Sequence, residues 1–324
     1  MKAWRVEQWC DPDGMRLSDI DPPEPGPRQV RIRVAAAALN FLDTLMIAGR
    51  YQVKPAFPFT PGVEVSGTIE AAGVDSRHAV GTAVCANVPT GGYAECVVAE
   101  DASAWPVPSG VDLEVAAALP VVYPTAHLCL RDAGRLQAGQ TVLVTAAAGG
   151  VGLASIQIAR AWGAGRIVAL AGGPAKLAVC QQHGATALVD YNAPDWFEQA
   201  RAACGPDGAD VIIDMVGGPI AEQALRLLAW RGRFVVVGFA GGSIPSIPAN
   251  RLLLKSASAV GVFWGGLAQK EPAVAAAVFH DLFRMVSDGT LAPIVTRRYR
   301  LADAPQAMKD LAARSTAGKV VLIP

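Results

Sequence analysis

TVLVTAAAGGVG, residues 141–152, is the stretch on which the fold turns. A short β-branched apolar run, 142–145, ends in the small residues Ala146, Ala147, Ala148, Gly149 and Gly150. A helical pattern opens at Val151 and Gly152, with Ile156, Ile158 and Ala159 following. A strand that feeds a glycine-rich turn at a helix N-terminus is suited to hold a pyrophosphate. Bare backbone N–H groups and the positive end of the helix dipole face the anion there. The spacing fits the dinucleotide fingerprint G-x-G-x-x-G at Ala147, Gly149 and Gly152, with alanine in the first place. Taken alone, the pattern also fits an ordinary tight strand–helix turn. The flanking chain decides.

Downstream, apolar strand runs alternate with helical runs. Strands are expected over 166–171, 187–189, 210–215, 233–238 and 256–264, and helices over 174–183, 220–230 and 271–287. That βαβα rhythm predicts an α/β fold with a Rossmann, doubly wound parallel sheet, and in that context the loop reads as a dinucleotide site. NAD sites usually carry Asp or Glu at the end of the second strand, about 20 residues on, for the ribose 2′-OH. Here the place reads Ala171, Gly172, Gly173, with Lys176 in the following helical turn. A missing carboxylate beside a cation suits a 2′-phosphate, so NADPH is expected over NADH. An ordinary solvated helix lysine is the lesser alternative for Lys176.

Upstream, residues 1–120 carry short apolar or alternating runs (30–34, 63–69, 83–86, 94–98) broken by Pro and Gly, the pattern of an irregular β-barrel. A short helix is expected over 40–48. VDLEVAAALPVVYPTAHLCLRDAG (111–134) is helical in composition but interrupted by Pro120 and Pro124. The last segment reads strand, helix, strand, and nothing in it extends the alternating pattern. The expected organisation is therefore 1–120, 121–290, and a tail 291–324 that rejoins the first domain.

Composition narrows the function classes. The chain has 324 residues, enough for about two domains. Lys+Arg and Asp+Glu balance at 28 each, so no global field favours nucleic acid or an anionic membrane surface. No apolar run reaches the roughly 18 residues of a membrane span, and MKAWRVEQW lacks the apolar stretch of a signal peptide. A soluble cytoplasmic protein is expected. Cysteines 10, 85, 96, 129, 180 and 204 have no framework spacing and read as free thiols.

Stretches along nearly the whole chain resemble the medium-chain dehydrogenase/reductase superfamily, in its zinc-free quinone oxidoreductase branch. They are ALNFLDTLMIAGRY (38–51), PFTPGVEVSG (58–67), GGYAE (91–95), LPVVYPTAH (119–127), AAAGGVGLASIQIA (146–159), DVIIDMVGG (210–218), VVVGFAGGSIP (235–245), NRLLLK (250–255), VGVFWG (260–265) and AARSTAGKVVLIP (312–324). The resemblance implies a GroES-like barrel joined to the Rossmann domain, with the cofactor in the cleft between them.

Zinc is the fork within that superfamily. Related alcohol dehydrogenases ligate catalytic zinc with a Cys, a Gly-His-Glu motif and a further Cys or Asp, and carry four close cysteines for structural zinc. Here the first place is Asn40, Gly62-Val63-Glu64 has valine for histidine, and the four-cysteine lobe is missing. Histidines 78, 127, 183 and 280 have no ligand spacing, so no metal site is expected. The Tyr-x-x-x-Lys pair of short-chain dehydrogenases is also absent, because none of the five tyrosines has Lys four residues on.

What remains is hydride transfer from a positioned nicotinamide to a quinone or an α,β-unsaturated carbonyl, whose conjugated oxygen takes up the charge. By resemblance Asn40 sits beside the nicotinamide, and Asp43, Tyr51 and Tyr123 are candidates for the rim of the cleft. Asp43 suits bracing of the short helix equally well. Family members often have Tyr where this chain has Leu45. Carried over in the same way as cofactor contacts are Thr125, Ala148, Gly149, Gly150, Val151, Gly152, Gly172, Gly173, Val216, Gly238 and Phe239, with Tyr191 and Arg314 joining Lys176 near the 2′-phosphate. Phe263 and Trp264 suit either the nicotinamide border or packing in a core or subunit interface. The segment 256–264 resembles the family's edge strand, which implies a homodimer. Two other activities fit the same residues: an enoyl-thioester reductase, and an NADPH-binding protein with little turnover.

Overall fold

The computed structural model describes residues 1–324. In chain order the elements are β1 (Lys2–Arg5), β2 (Arg16–Asp19), β3 (Gln29–Ala38), α1 (Phe41–Ile47), β4 (Glu64–Ala72), β5 (Ala83–Asn87), β6 (Cys96–Glu100), β7 (Ala104–Pro106), α2 (Leu113–Ala117) and α3 (Val122–Leu128). Then come β8 (Thr141–Val144), α4 (Gly150–Ala161), β9 (Arg166–Ala171), α5 (Pro174–Gln182), β10 (Ala187–Asp190), α6 (Trp196–Cys204), β11 (Ala209–Asp214), α7 (Gly218–Ala224) and β12 (Leu228–Val236). The chain ends with α8 (Ala249–Lys255), β13 (Ser258–Gly261), α9 (Trp264–Lys270), α10 (Pro272–Ser287), β14 (Val295–Arg300), α11 (Ala304–Ala312) and β15 (Lys319–Ile323). No helix is long and apolar enough to cross a membrane.

The chain divides into two compact units. The first holds 1–121, 279–289 and 293–324. Its main sheet has seven strands, with β14-β15-β3-β4-β5-β7 in order and β6 paired to β3. β3 is the hub, because it pairs antiparallel with β4, β6 and β15. Val30, Ile32, Val34, Val65, Ile69 and Val97 bury one apolar face of this curled sheet, and Val320 and Leu322 of the tail join that core. At about 25 cal/mol per Å² of apolar surface, such a core is the main stabilising term.

The second unit holds 122–278 and 290–292, around a six-stranded, wholly parallel sheet in the order β10-β9-β8-β11-β12-β13. The chain leaves β8 toward β9 and later returns on its other side as β11. That reversal is the topological switch point at which open α/β sheets bind ligands, beyond the carboxyl ends of the strands. Strands buried on both faces read as continuous apolar runs, and TVLV and VIID are such runs.

Several expectations need correction. Pro124 does not interrupt a helix: it lies in the first turn of α3, where its missing N–H has no intrahelical partner to lose. The helix expected over 220–230 ends at Ala224, and a 3-10 turn at Leu225–Leu227 leads straight into β12. The strand expected over 256–264 shrinks to β13. Trp264 instead opens α9, and NRLLLK forms α8. The stretch expected to end the second domain at 290 is also divided. Residues 279–289 belong to the first unit, where the Phe279 ring stacks on Trp105 at 3.6 Å between centroids.

Candidate active site

In the second unit the phosphate loop has the geometry its sequence requires. Gly149 is the N-cap of α4, a helix of 12 residues with no acidic side chain in its first turn. Its early N–H groups and dipole are therefore open to an anion, with no carboxylate of the first turn in competition. Gly152 is needed for packing, because a Cβ there would lie 2.5 Å from the Ala147 carbonyl oxygen and 2.6 Å from that of Ala146. Alanine is tolerated at the first fingerprint place for a local reason. The left-handed residue of this turn is Ala146 (φ 45°), while Ala147 is buried and donates its N–H to the Leu170 carbonyl at 2.9 Å. Ala148 is buried beside it, and Gly150 and Val151 open the helix half-buried.

At the end of β9, Gly172 and Gly173 lead into α5, with Gly173 as N-cap at φ 85° and Pro174 following. Tyr191 and Asn192, just beyond β10, close over Gly172. A Cβ at Gly172 would lie 3.0 Å from Asn192 Nδ2 and 3.4 Å from the Tyr191 hydroxyl. Lys176 stands half-buried in the first turn of α5. The Gly172–Gly173 backbone and Tyr191 thus meet, and Asn192, which the sequence does not single out, joins them.

At the carboxyl ends of β11 and β12, Val216 and the 238–241 turn interlock. Ala240 N–H donates to the Met215 carbonyl at 2.9 Å and Gly241 N–H to the Val216 carbonyl at 2.7 Å. The Phe239 ring approaches to 3.0 Å from where a Gly217 Cβ would stand. The buried Asp214 ties this ledge down, accepting from Thr145 Oγ1 at 2.7 Å and from the Gly217 N–H at 2.9 Å. Burial pushes its carboxyl above the usual range, and these bonds oppose the push. Thr145 also accepts from the Met215 N–H at 3.0 Å.

The remaining expected residues of this unit lie on α3 and at the start of α9. Tyr123 is buried and donates its hydroxyl to Gln157 Oε1 at 3.3 Å, so it braces α3 against α4, and Thr125 is buried on the same helix. Trp264 is a core residue, while its neighbour Phe263 is 62% exposed.

In the first unit, Asn40 is the N-cap of α1, directly after β3. β15 continues alongside, and Leu39 N–H donates to the Val320 carbonyl at 2.9 Å. That pairing delivers the buried Lys319 to Asn40. Lys319 Nζ donates to the Leu39 carbonyl at 2.8 Å, to Asn40 Oδ1 at 2.9 Å and to Glu64 Oε1. Asn40 Nδ2 donates to the same Glu64 oxygen at 2.7 Å, and Glu64 Oε2 accepts the Val121 N–H at 2.9 Å. Burial raises the Glu64 carboxyl above its ordinary range, while the Lys319 charge opposes this.

Asp43 reaches back to accept the Asn40 N–H at 2.8 Å, and the Tyr93 hydroxyl donates to the same oxygen, Oδ2, at 2.9 Å. Asp43 is fully buried and its Oδ1 has no partner. Burial pushes its carboxyl up to about 7, against the pull of those bonds and of Lys319. Tyr51 is half-buried, and burial together with the Asp43 charge raises its phenol. Arg314 is exposed in the left-handed position just past α11. Of the expected residues here, Asn40 and Asp43 stand together with Tyr51 near them. Glu64, Tyr93 and Lys319 complete the cluster.

The donor set does not fit zinc. The group set against Asn40 and Glu64 is an ammonium, itself a cation, and no three His, Cys, Asp or Glu side chains in the structure could hold a metal ion. The phosphate loop, by contrast, fits a dinucleotide: its glycines leave the backbone bare at the N-terminus of a full-length helix.

Two families match the chain. Alcohol dehydrogenase GroES-like domain covers residues 26–109, and zinc-binding dehydrogenase covers residues 150–280. A rat protein named quinone oxidoreductase-like protein 2 is 38% identical over 309 residues, spanning 95% of this chain and 88% of its own. A quinone oxidoreductase of Pseudomonas aeruginosa is 34% identical, spanning 97% of this chain and 96% of its own. The quinone oxidoreductase of Thermus thermophilus, solved also in complex with NADPH, superposes with a TM-score of 0.87 at 35% identity, covering 100% of both chains. The chain belongs to the medium-chain dehydrogenase/reductase superfamily, within its quinone oxidoreductase branch.

Proposed function

We propose that the protein is an NADPH-dependent, zinc-independent reductase of quinones and related α,β-unsaturated carbonyls. The observation that carries this reading is the buried Lys319–Glu64–Asn40 cluster. In zinc-dependent relatives the Asn40 place and the Glu64 motif serve the metal, whereas here they are engaged by a lysine. An acceptor that can spread incoming charge over a conjugated system needs only modest stabilisation at its oxygen.

NADPH, when bound, supplies the hydride. The N-terminus of α4 holds its pyrophosphate, and Lys176 and Tyr191 of the same unit meet the 2′-phosphate. Val216, Gly238 and Phe239 form a ledge for the nicotinamide end, which Asp214 and Thr145 stiffen. Asn40 has two amide hydrogens. One is spent on Glu64, so the other is left to donate to the acceptor oxygen as charge develops there. Tyr51, kept protonated by burial and by Asp43, is the candidate proton donor to the reduced product.

The test is NADPH oxidation against benzoquinone, naphthoquinone and a panel of enones, with and without a chelator. Turnover unaffected by the chelator is expected. Inactivity across the panel by protein shown to bind NADPH rejects the proposal.

A further inference from the structure

We propose that Lys319 is a positioning residue. By donating to Asn40 Oδ1 it fixes the amide so that an Nδ2–H, and not the oxygen, is offered to the acceptor. This rests on the reading of Asn40 as the donor to the acceptor oxygen and goes beyond it. A free asparagine amide can turn over about its terminal torsion, which is broad and roughly two-fold, and so exchange donor for acceptor. Presented oxygen-first, it would repel the charge that hydride transfer places on the substrate.

Three features of this chain prevent the turn. Lysine has donors only, so Lys319 binds the oxygen of the amide and would repel its NH2. A carboxylate has acceptors only, so Glu64 Oε1 binds the NH2 and would repel its oxygen. The two gripping groups also bond to each other. Lys319, Glu64 and Asn40 are 3%, 0% and 7% exposed, so water does not readily substitute for any of these partners. Lys319 is itself held by the Leu39 carbonyl, and Glu64 by the Val121 N–H, so each grip has its own anchor in the backbone. A reversed amide would set NH2 against ammonium and oxygen against carboxylate at once.

The role makes Lys319 act through Asn40, which a double-mutant cycle isolates. Lys319→Met, Asn40→Ala and the pair are compared for NADPH-dependent reduction of 1,4-benzoquinone, with circular dichroism and NADPH fluorescence checking fold and loading. Asn40→Ala is expected to lower kcat about tenfold or more with the quinone KM within about twofold, and Lys319→Met to do the same. The double variant is expected to be no slower than Asn40→Ala. Should Lys319→Met fail to fold because Glu64 is left uncompensated, Lys319→Met/Glu64→Gln takes its place under the same criteria.

A readout independent of turnover comes from the side-chain amide of Asn40 in 15N-labelled protein, assigned by its loss in Asn40→Ala. Its two protons are expected to be well separated and sharp in the native protein, and to broaden or draw together without Lys319. Wild-type kcat in the Lys319 variant, multiplicative losses in the double variant, or an unchanged amide signal each overturn the positioning role and leave the donor reading standing. Wild-type kcat in Asn40→Ala overturns the donor reading, and the positioning role with it.

Discussion

Tyr93 donates its hydroxyl to Asp43 Oδ2 at 2.9 Å, and neither side chain is exposed at all. The same oxygen takes the Asn40 N–H, while Oδ1 is buried with no partner. The carboxyl is therefore satisfied on one side only, and its charge is poorly compensated.

That imbalance makes stability depend on pH. Burial raises Asp43 from 3.8 to about 7, so between those values the folded chain keeps a proton that the unfolded chain has released. Stability then falls as pH rises across the window, by on the order of 4 kcal/mol for a shift of this size. Glu64 is shifted in the same direction and adds to the slope. In Asp43→Asn the amide oxygen still accepts from Tyr93 and Asn40, but its NH2 faces the unpartnered side at every pH. Lacking the titrating group, the variant should gain in stability relative to wild type as pH rises from 5 to 8. Thermal unfolding at several pH values checks this. A gap that does not change with pH contradicts the assignment.

Much of this arrangement is legible in the sequence, and the part that is not has a physical reason. The β8–loop–α4 unit is legible because glycine spacing, a β-branched run and a helical period all fall within one continuous stretch, 141–159. The cluster around Asn40 could not, because Lys319 and Asn40 are 279 positions apart and meet only through the pairing of β15 with β3. A faint signal existed: Lys319 opens the otherwise apolar strand KVVLI, and Glu64 opens β4. Charges that begin buried strands require partners, but the sequence does not say which. Asp214 and Thr145 are legible as strand ends, while their bond depends on β8 and β11 being neighbours. Over 256–264 apolar content alone does not distinguish a short edge strand from the helices on either side of it.

Two glycines of the phosphate loop should respond differently to the same change. In Gly152→Ala the added Cβ meets backbone oxygens at 2.5 and 2.6 Å, which cannot step aside. A loss of roughly 1–3 kcal/mol in stability is expected, together with weaker NADPH binding. In Gly149→Ala the nearest atom is the Ala146 carbonyl oxygen at 3.2 Å, a much milder approach that needs only a few tenths of an ångström of relief. The methyl nonetheless crowds the approach of a phosphate to the helix N-terminus. Urea unfolding and NADPH fluorescence titration, run in parallel, should show both properties falling for Gly152→Ala and mainly binding falling for Gly149→Ala. Equal effects on stability would contradict the steric argument.

Thr145→Val keeps the shape of the side chain and removes one donor and one acceptor. Asp214 loses its 2.7 Å bond and the Met215 N–H loses its partner at 3.0 Å, both in a buried setting. Leaving such groups unpaired costs about 1–3 kcal/mol. Because the ledge bearing Val216 hangs from Asp214, NADPH affinity should fall as well. Thr145→Ser, which retains the hydroxyl, should recover most of both. Failure of serine to restore affinity would assign the effect to packing.

The cofactor preference rests on the end of β9. Gly172 carries no carboxylate, and the Tyr191 hydroxyl and Asn192 amide close over its backbone. Both are donors, so in the proposed site a 2′-phosphate would gain partners that a 2′-hydroxyl would not. In the proposed site Lys176 would add the charge that separates the two cofactors, since a phosphate and an ammonium attract at a distance where a hydroxyl does not. Lys176→Ala should therefore weaken NADPH about tenfold, equivalent to ~1.4 kcal/mol, and leave NADH within about twofold. The NADPH loss should shrink as salt rises, because a partly exposed charge pair is screened. Dissociation constants for both cofactors, at low and high ionic strength, provide the comparison. If the NADPH-to-NADH ratio is unchanged by the substitution, Lys176 does not meet the 2′-phosphate, and discrimination would then have to come from Tyr191 and Asn192.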